Sequence, residues 1–268
     1  MTDSKAAGTG KRAAKATAAD RKSSTAAGAK KRPAAKGPQK AAAKAAGNKE
    51  AADLETKKRL ALTVIERLRD EYPDADCTLD YDEAWKLLVS VRLAAQCTDA
   101  RVNVVVEKLY AMYPDPASLA AAPVEAIEAI VHPCGLGPSK ARDIKACMTV
   151  LTEKYHGRVP DTFEELLALP GVGRKSANLI MGDVFGQPAI VADTHCIRLS
   201  GRIGLTDGEK DPKKVEMALR AIVPPQEGNA LCHRLVEHGR AVCTARTTPH
   251  CERCCLMDVC RSAPDFLR

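Results

Sequence analysis

Two stretches of the chain combine residue types and spacings that can do chemistry. The first is Leu169-Pro170-Gly171-Val172-Gly173-Arg174-Lys175-Ser176-Ala177-Asn178. A helix running from Phe163 to Leu169 has to stop at Pro170. Gly171 and Gly173 then permit a tight turn with positive φ and a close backbone approach, and a second helix begins near Arg174. Main-chain N–H groups at such a helix start point outward, where an anion is favoured. The arrangement suits a clamp of helix, hairpin and helix on a DNA phosphate; an ordinary corner between two helices has the same Gly-x-Gly. Lys175 falls in the first turn of the second helix. A lysine is ordinarily protonated, with a pKa of about 10.4. A helix N-terminus and partial burial both disfavour the ammonium, so a lysine placed there could attack carbon as a free amine. Charge alone on a phosphate is the plainer role.

Eighteen residues on comes Val191-Ala192-Asp193-Thr194-His195. Asp193 follows a short apolar run and precedes a helical stretch, so it is placed to cap that helix. A carboxylate there can also activate a nucleophile or stabilise a developing cation, and the two roles are compatible. The upstream run Cys134-Gly135-Leu136-Gly137-Pro138-Ser139-Lys140-Ala141 is a weaker echo of the hairpin, with its lysine offset by one residue.

The second stretch is C-terminal. Cys243, Cys251, Cys254 and Cys260 are spaced C-x7-C-x2-C-x5-C, with Cys255 as a fifth thiol within the same 18 residues. Isolated free cysteines are usually buried hydrophobes, but five so close in a polar segment point to metal. By spacing alone, tetrahedral zinc and a [4Fe–4S] cluster both accept four thiolates. Arg246, His250, Arg253 and Arg261 lie in or beside this loop and make it basic.

These groups need a framework, and its pattern is helical. Leu60, Leu62, Val64, Ile65 and Leu68 recur at spacings of one to four residues before Pro73, and Trp85, Leu87, Leu88, Val91 and Leu93 form another apolar face. Prolines 114, 116, 123, 133, 138, 160 and 170 punctuate short segments. No stretch alternates with period two for long, so the chain reads as all-α, with many short helices. Of its 268 residues, the 215 from Leu54 onward suffice for one sizeable core or two small ones.

Charge divides the chain. Residues 1–50 hold 13 basic and three acidic side chains, 17 alanines, and no aromatic, Leu, Ile or Val. Such a tail is expected to be disordered, and its net +10 attracts polyanions through counterion release. The remainder carries a net −3. No apolar run approaches the length of a membrane span, and no apolar stretch marks a secretory signal. The 11 cysteines therefore read as reduced thiols of an intracellular protein. Aromatic residues at 3% disfavour a single-strand binder that stacks bases.

The hairpin 169–178, Val191 to His195, His238-Gly239-Arg240 and the terminal cysteines resemble the endonuclease III family of base-excision-repair DNA glycosylases, within the helix-hairpin-helix superfamily. The match runs from about Leu54 to Cys260 and includes Leu93-Ala94-Ala95-Gln96-Cys97-Thr98-Asp99. The resemblance implies a bilobal all-α fold. Residues 77–187 would form a six-helix barrel with the hairpin, residues 54–76 and 188–268 a discontinuous domain around one [4Fe–4S] cluster, and residues 1–53 a disordered tail. It implies that Lys175 is the nucleophile and Asp193 its carboxylate partner, and that Cys243, Cys251, Cys254 and Cys260 hold the cluster. Choosing Cys254 rather than Cys255 preserves the family's C-x2-C-x5-C.

By the same analogy Gly171, Gly173 and Arg174 hold a DNA phosphate, and Gln96 and Leu136 fill the void left by an extruded nucleotide. The implied activity is removal of oxidised pyrimidines from duplex DNA, with nicking 3′ to the abasic site through a Schiff base. The implied partner is duplex DNA bearing damaged bases or abasic sites, bound by a monomer, in bacterial cytoplasm or nucleoid, or in a nucleus. Two departures stand out. The first inter-cysteine interval is one residue longer than usual, and its loop lacks the family's lysine near Thr247, leaving Arg246 or His250 to contact phosphate. Two further readings compete: an adenine-mismatch glycosylase of the same superfamily, which generally lacks the hairpin lysine and has an extra C-terminal domain, and a non-catalytic, metal-stabilised DNA-binding module.

Overall fold

The computed structural model describes residues 39–267, with side chains from Glu50 onward. The expectation of a disordered tail lies, for residues 1–38, outside the described residues. For the rest of the tail it is corrected, because helix α1 spans Gln39–Glu71 and so begins well before Leu54. Lack of apolar residues removes packing partners but not helix propensity, and Ala, Lys, Gln and Glu are among the better helix formers.

The unit Ala46–Arg268 holds every element that bears on the site. After α1 come α2 (Ala84–Leu93), α3 (Asp99–Met112), α4 (Pro116–Ala121), α5 (Val124–Val131), α6 (Gly137–Tyr155), α7 (Phe163–Leu167) and α8 (Arg174–Asp183). They are followed by α9 (Thr194–Ile203), α10 (Pro212–Arg220), α11 (Gly228–Ala241) and α12 (Ala263–Phe266). No strand occurs among the described residues. Pro116, Pro138 and Pro212 sit in the first turns of α4, α6 and α10, where a missing N–H costs nothing.

Apolar burial falls into two clusters. One is formed by side chains from Leu79 to Ile180, with Leu87, Leu93, Leu109, Ile127, Met148 and Leu166 fully enclosed. The other joins the second half of α1 (Ala61, Val64, Ile65, Leu68) to Ile190–Ala192, α9, α10, α11 and Leu256. Burying a side chain of this size contributes about 1.5–3 kcal/mol. α1 thus packs with the C-terminal third of the chain, although more than a hundred residues separate them. Leu179 of α8 touches both clusters, so the helix that begins at the hairpin runs along their junction.

One strap in the first cluster has no counterpart in the local sequence pattern. Lys140 is completely buried, and its ammonium donates to the carbonyls of Leu93 and Cys134, each at 2.8 Å. It ties the end of α2 to the turn before α6, and burial pushes its pKa down from the ordinary lysine value. The lysine of the upstream Gly-x-Gly run is therefore a structural tie that faces inward. Lys140→Met should lower the unfolding free energy by about 3 kcal/mol, because two buried carbonyls lose a charged donor. Urea melts of the two proteins would measure it, and a loss under about 0.5 kcal/mol, within the range of neutral surface changes, would show the carbonyls find other donors.

Candidate functional site

The hairpin is built as its glycines demand, with one difference. Gly171 has φ +74°, and a Cβ there would lie 2.9 Å from Asp143 Cβ, so both conformation and space require glycine. Gly173 is not in the left-handed region; at φ −97°, ψ 176° it is the extended residue before α8. Nothing lies within 4 Å of where its Cβ would be. Space for a close ligand, rather than a positive φ, is what its missing side chain provides. α7 ends at Leu167, two residues earlier than expected, and α8 begins at Arg174 as expected. No side chain caps α8, so its first N–H groups have no side-chain partner at the turn.

Arg174 extends into this turn, but its guanidinium is committed. Nε and an Nη donate to both oxygens of Glu216, the latter at 2.9 Å, while the group stacks over Phe163. The Glu216 side chain is only 2% exposed, also binds Arg220, and is held below the usual carboxylate range by these two arginines despite its burial. A buried carboxylate demands such partners. What Glu216 leaves of Arg174 for a phosphate is the other Nη and the main-chain N–H.

Lys175 is exposed, which corrects the expectation of partial burial. Its charge reaches His195 on α9. Burial lowers the His195 pKa; the charges of Arg198, Arg240 and Lys175 lower it further, and the Asp193 carboxylate opposes them. His195 thus senses Lys175 and Asp193 together. Asp193 is the N-cap of α9, its Oδ1 accepting from Cys196 N at 2.6 Å, as its sequence position implied.

The His238-Gly239-Arg240 run explains itself around this point. His195 and Arg198 pack so closely on Gly239 that no Cβ would fit there. Arg240 pairs with Asp99 at 2.9 Å, and Asp99 also accepts from Thr78 at 2.6 Å. Asp99 is the last residue of Leu93–Asp99, so two stretches about 140 residues apart meet through one ion pair. No local signal points to that contact.

Gln96 and Leu136 share an unusual trait. Among the described residues they are, with His156, the non-glycine residues of positive φ, at 58° and 54°. Such conformations cost about 1–3 kcal/mol each and persist only where the surroundings enforce them. Both side chains are exposed, Leu136 at 53%, so the strain presents an amide and an isobutyl group to solvent. The loops that carry them are those tied together by buried Lys140.

The C-terminal cysteines converge. Cys243, Cys251, Cys254 and Cys260 line one apolar cavity with Leu199, Arg202, His238 and Phe266 among its walls. Cys255 is absent from those walls and lies near Glu71 and Arg67. Burial and mutual repulsion push the thiols of Cys251 and Cys260 up, and that of Cys254 up to about 12. Thiolates in this cavity therefore need a compensating cation. Arg202 donates to Cys243 Sγ at 3.3 Å, and His238 Nε2 lies 3.3 Å from Cys254 Sγ. The ring is completed by Tyr72 Oη, 3.1 Å from His238 Nδ1, and burial pushes the His238 pKa down to about 4. The lengthened first loop is stitched by Thr244 and Thr247, whose hydroxyls meet at 2.8 Å; Arg246 and His250 are exposed on it.

Among the described residues the chain is all-helical, with a helix-hairpin-helix turn before α8 and a cavity lined by four cysteines. Residues 89–225 match the model of the HhH-GPD superfamily base excision DNA repair protein. Endonuclease III of Synechocystis is 41% identical over 211 residues, covering 78% of this chain and 95% of that protein. Endonuclease III of Escherichia coli K12 is 37% identical over 203 residues, covering 76% and 95%. The chain belongs to the endonuclease III family. A solved endonuclease III–DNA trapped covalent intermediate aligns with a TM-score of 0.75 at 38% identity, covering 79% of this chain and 99% of that one. A thermostable thymine-DNA glycosylase, at 21% identity and a TM-score of 0.69, shares the fold.

Proposed function

We propose that Lys175 and Asp193 carry the chemistry of a DNA glycosylase with associated abasic-site lyase activity. The observation that carries this assignment is that Lys175 stands exposed in the first turn of α8 after the hairpin and Asp193 starts α9, in a chain that aligns with a trapped endonuclease III–DNA covalent intermediate. The substrate is duplex DNA bearing an oxidised pyrimidine or an abasic site, bound by a monomer where the chromosome lies. Among the described residues no helix is long and apolar enough to cross a membrane.

The strand is held by the main-chain N–H groups of Gly173, Arg174 and Lys175, and Gly171 sets the turn. The damaged nucleotide leaves the stack at a cost of a few kcal/mol, least for a poorly stacked lesion. Gln96 and Leu136 enter the gap from their strained, exposed positions, and Arg246 contacts phosphate on the far side. The Lys175 amine forms a bond to C1′ as the C1′–base bond breaks, and the base departs with the electron pair. Asp193 stabilises the cationic sugar and takes the proton from the amine. Ring opening gives the Schiff base, which acidifies a C2′ proton; its loss expels the 3′ phosphate and leaves a nick.

The four cysteines Cys243, Cys251, Cys254 and Cys260 line one apolar cavity and together offer the four thiolates that a [4Fe–4S] cluster needs. When bound, the cluster supplies a positively charged core that compensates four thiolates. The two apolar clusters then correspond to a barrel domain, 77–187, and a cluster domain, 54–76 with 188–268. Cys255→Ser should keep the broad iron–sulfur absorption near about 400 nm, and Cys254→Ser should lose it. The reverse pattern would move the ligand assignment by one residue.

Removing residues 1–50 should leave activity at low salt nearly intact and make log K against log salt shallower, by about 0.7–0.9 for each phosphate that the tail no longer neutralises. An unchanged slope would show that the tail does not touch DNA.

Borohydride trapping on duplexes with thymine glycol, an abasic site or an adenine–oxoguanine pair tests the whole reading. Covalent capture on the first two is expected. Capture on none would leave a DNA-binding module, and base loss only from the last would indicate the adenine-mismatch reading.

A further inference from the structure

A second cluster of ligand-bearing side chains lies apart from the cysteine cavity. One carboxylate oxygen each of Asp76 and Asp183 and one ring nitrogen of His233 lie within 4.8 Å of one another. They come from the linker between α1 and α2, the last residue of α8, and α11, so three distant segments meet there. His233 Nε2 is 2.8 Å from Asp183 Oδ1, which also accepts from Asn229 Nδ2 at 2.6 Å.

Asp183 is the anomaly. Its side chain is 1% exposed, yet its other oxygen, Oδ2, has no hydrogen-bond partner, and the adjacent Asn229 Oδ1 is buried without one too. Asn229 is pressed against Gly182 so tightly that no Cβ would fit there, which keeps its amide beside the carboxylate. Among the described residues no lysine or arginine pairs with Asp183; its charged neighbours are Asp76 and His233. A desolvated carboxylate with a second carboxylate close by needs positive charge, which a protonated His233 or a bound cation supplies. The Cys77 thiol also abuts Asp183, and burial pushes it up to about 12. On the solvent side an open cavity carries Glu71, Asp74, Asp76 and Glu237 on its walls and reaches Cys77, a negatively charged approach for a cation.

We propose that Asp76, Asp183 and His233 form a divalent metal site of the zinc class, with the Cys77 thiol or a water as fourth ligand. Imidazole with carboxylate suits zinc rather than magnesium or calcium, which prefer oxygen alone. The three segments joined are the α1–α2 linker, the end of α8 and α11. The ion therefore locks the far end of the helix that begins at the hairpin, and its role is structural.

The test uses the iron-loaded protein, stripped with a mild chelator, its iron checked by absorbance, then titrated with zinc chloride. The wild type should take up about one zinc per chain without losing iron, and its melting temperature should rise on zinc addition. Asp183→Asn and His233→Gln should each weaken zinc uptake by tenfold or more and abolish the rise. Asp76→Asn, at an exposed position where an asparagine oxygen can still accept from Cys77 N, serves if the buried variants fail to fold, and it should weaken uptake likewise. No uptake by the wild type at micromolar zinc, or equal uptake by wild type and Asp76→Asn, would overturn the site. A loss of stability in His233→Gln, with no zinc bound by the wild type, would identify a plain buried His–Asp pair instead. None of these readouts depends on glycosylase activity, so failure here leaves the repair function standing.

Discussion

Lys175→Ala should reduce both base release and strand cleavage to background while duplex binding persists. On the proposed mechanism the two activities fall together, because a single amine forms the covalent bond for the first and carries the Schiff base for the second. Affinity is expected to survive because it rests mainly on phosphate contacts, and alanine leaves the main-chain N–H groups at the proposed phosphate site, the start of α8, in place. The substitution also asks little of the fold: Lys175 is exposed, and alanine is the best helix former, so stability should be unchanged or slightly raised. Borohydride trapping and gel shifts on one set of duplexes separate the two effects. Residual trapping above a few per cent would mean that another amine attacks, and parallel loss of binding would make Lys175 a phosphate contact.

How much of this could be read from the sequence follows the distance between partners. The hairpin, the Asp193 cap and the cysteine spacing are local patterns, in which turn geometry and helix starts are dictated by residues a few positions apart. The preference for Cys254 over Cys255 is also local; Cys254 lines the cavity and Cys255 is not among its walls. The long-range ties have no such signal. Nothing near Arg174 indicates that Glu216, 42 residues on, occupies its guanidinium; a surface arginine beside a phosphate site looks the same in sequence. Lys140 reads as a solvated lysine, because burial of its ammonium depends on two carbonyls from separate loops. The tail boundary differs for another reason. A segment without apolar residues looks structureless, while the same alanines and lysines carry high helix propensity into α1. Gln96 and Leu136 are legible as residues, but their left-handed backbone, which gives them a physical reason to be where they are, is not.

Asp193→Asn should lower base release by about 10²-fold or more, the usual scale for a positioned acid or base, with no loss of stability. The choice of asparagine isolates the charge. Asp193 Oδ1 accepts from Cys196 N at 2.6 Å, and an asparagine oxygen accepts the same bond, Asn and Asp being equally good N-caps. Alanine would confuse the result by removing the cap as well, at about 1 kcal/mol. His195 offers a check that the new side chain has kept its place. The Asp193 carboxylate raises the His195 pKa against burial and three cationic neighbours, so its removal should move that pKa further down while the fold is unchanged. An NMR titration of the imidazole in both proteins reads this directly. The combination expected is an unaltered melting temperature, a downward shift at His195, and loss of base release. Equal turnover of the two proteins, with the His195 shift present, would leave Asp193 a cap and nothing more. In that event the proton on the Lys175 amine would have to leave by another route, to water or to a group of the bound duplex. An unshifted His195 together with lost activity would point to a rearranged α9 start, and Asp193→Glu, which keeps the charge but reaches further, would then separate position from charge.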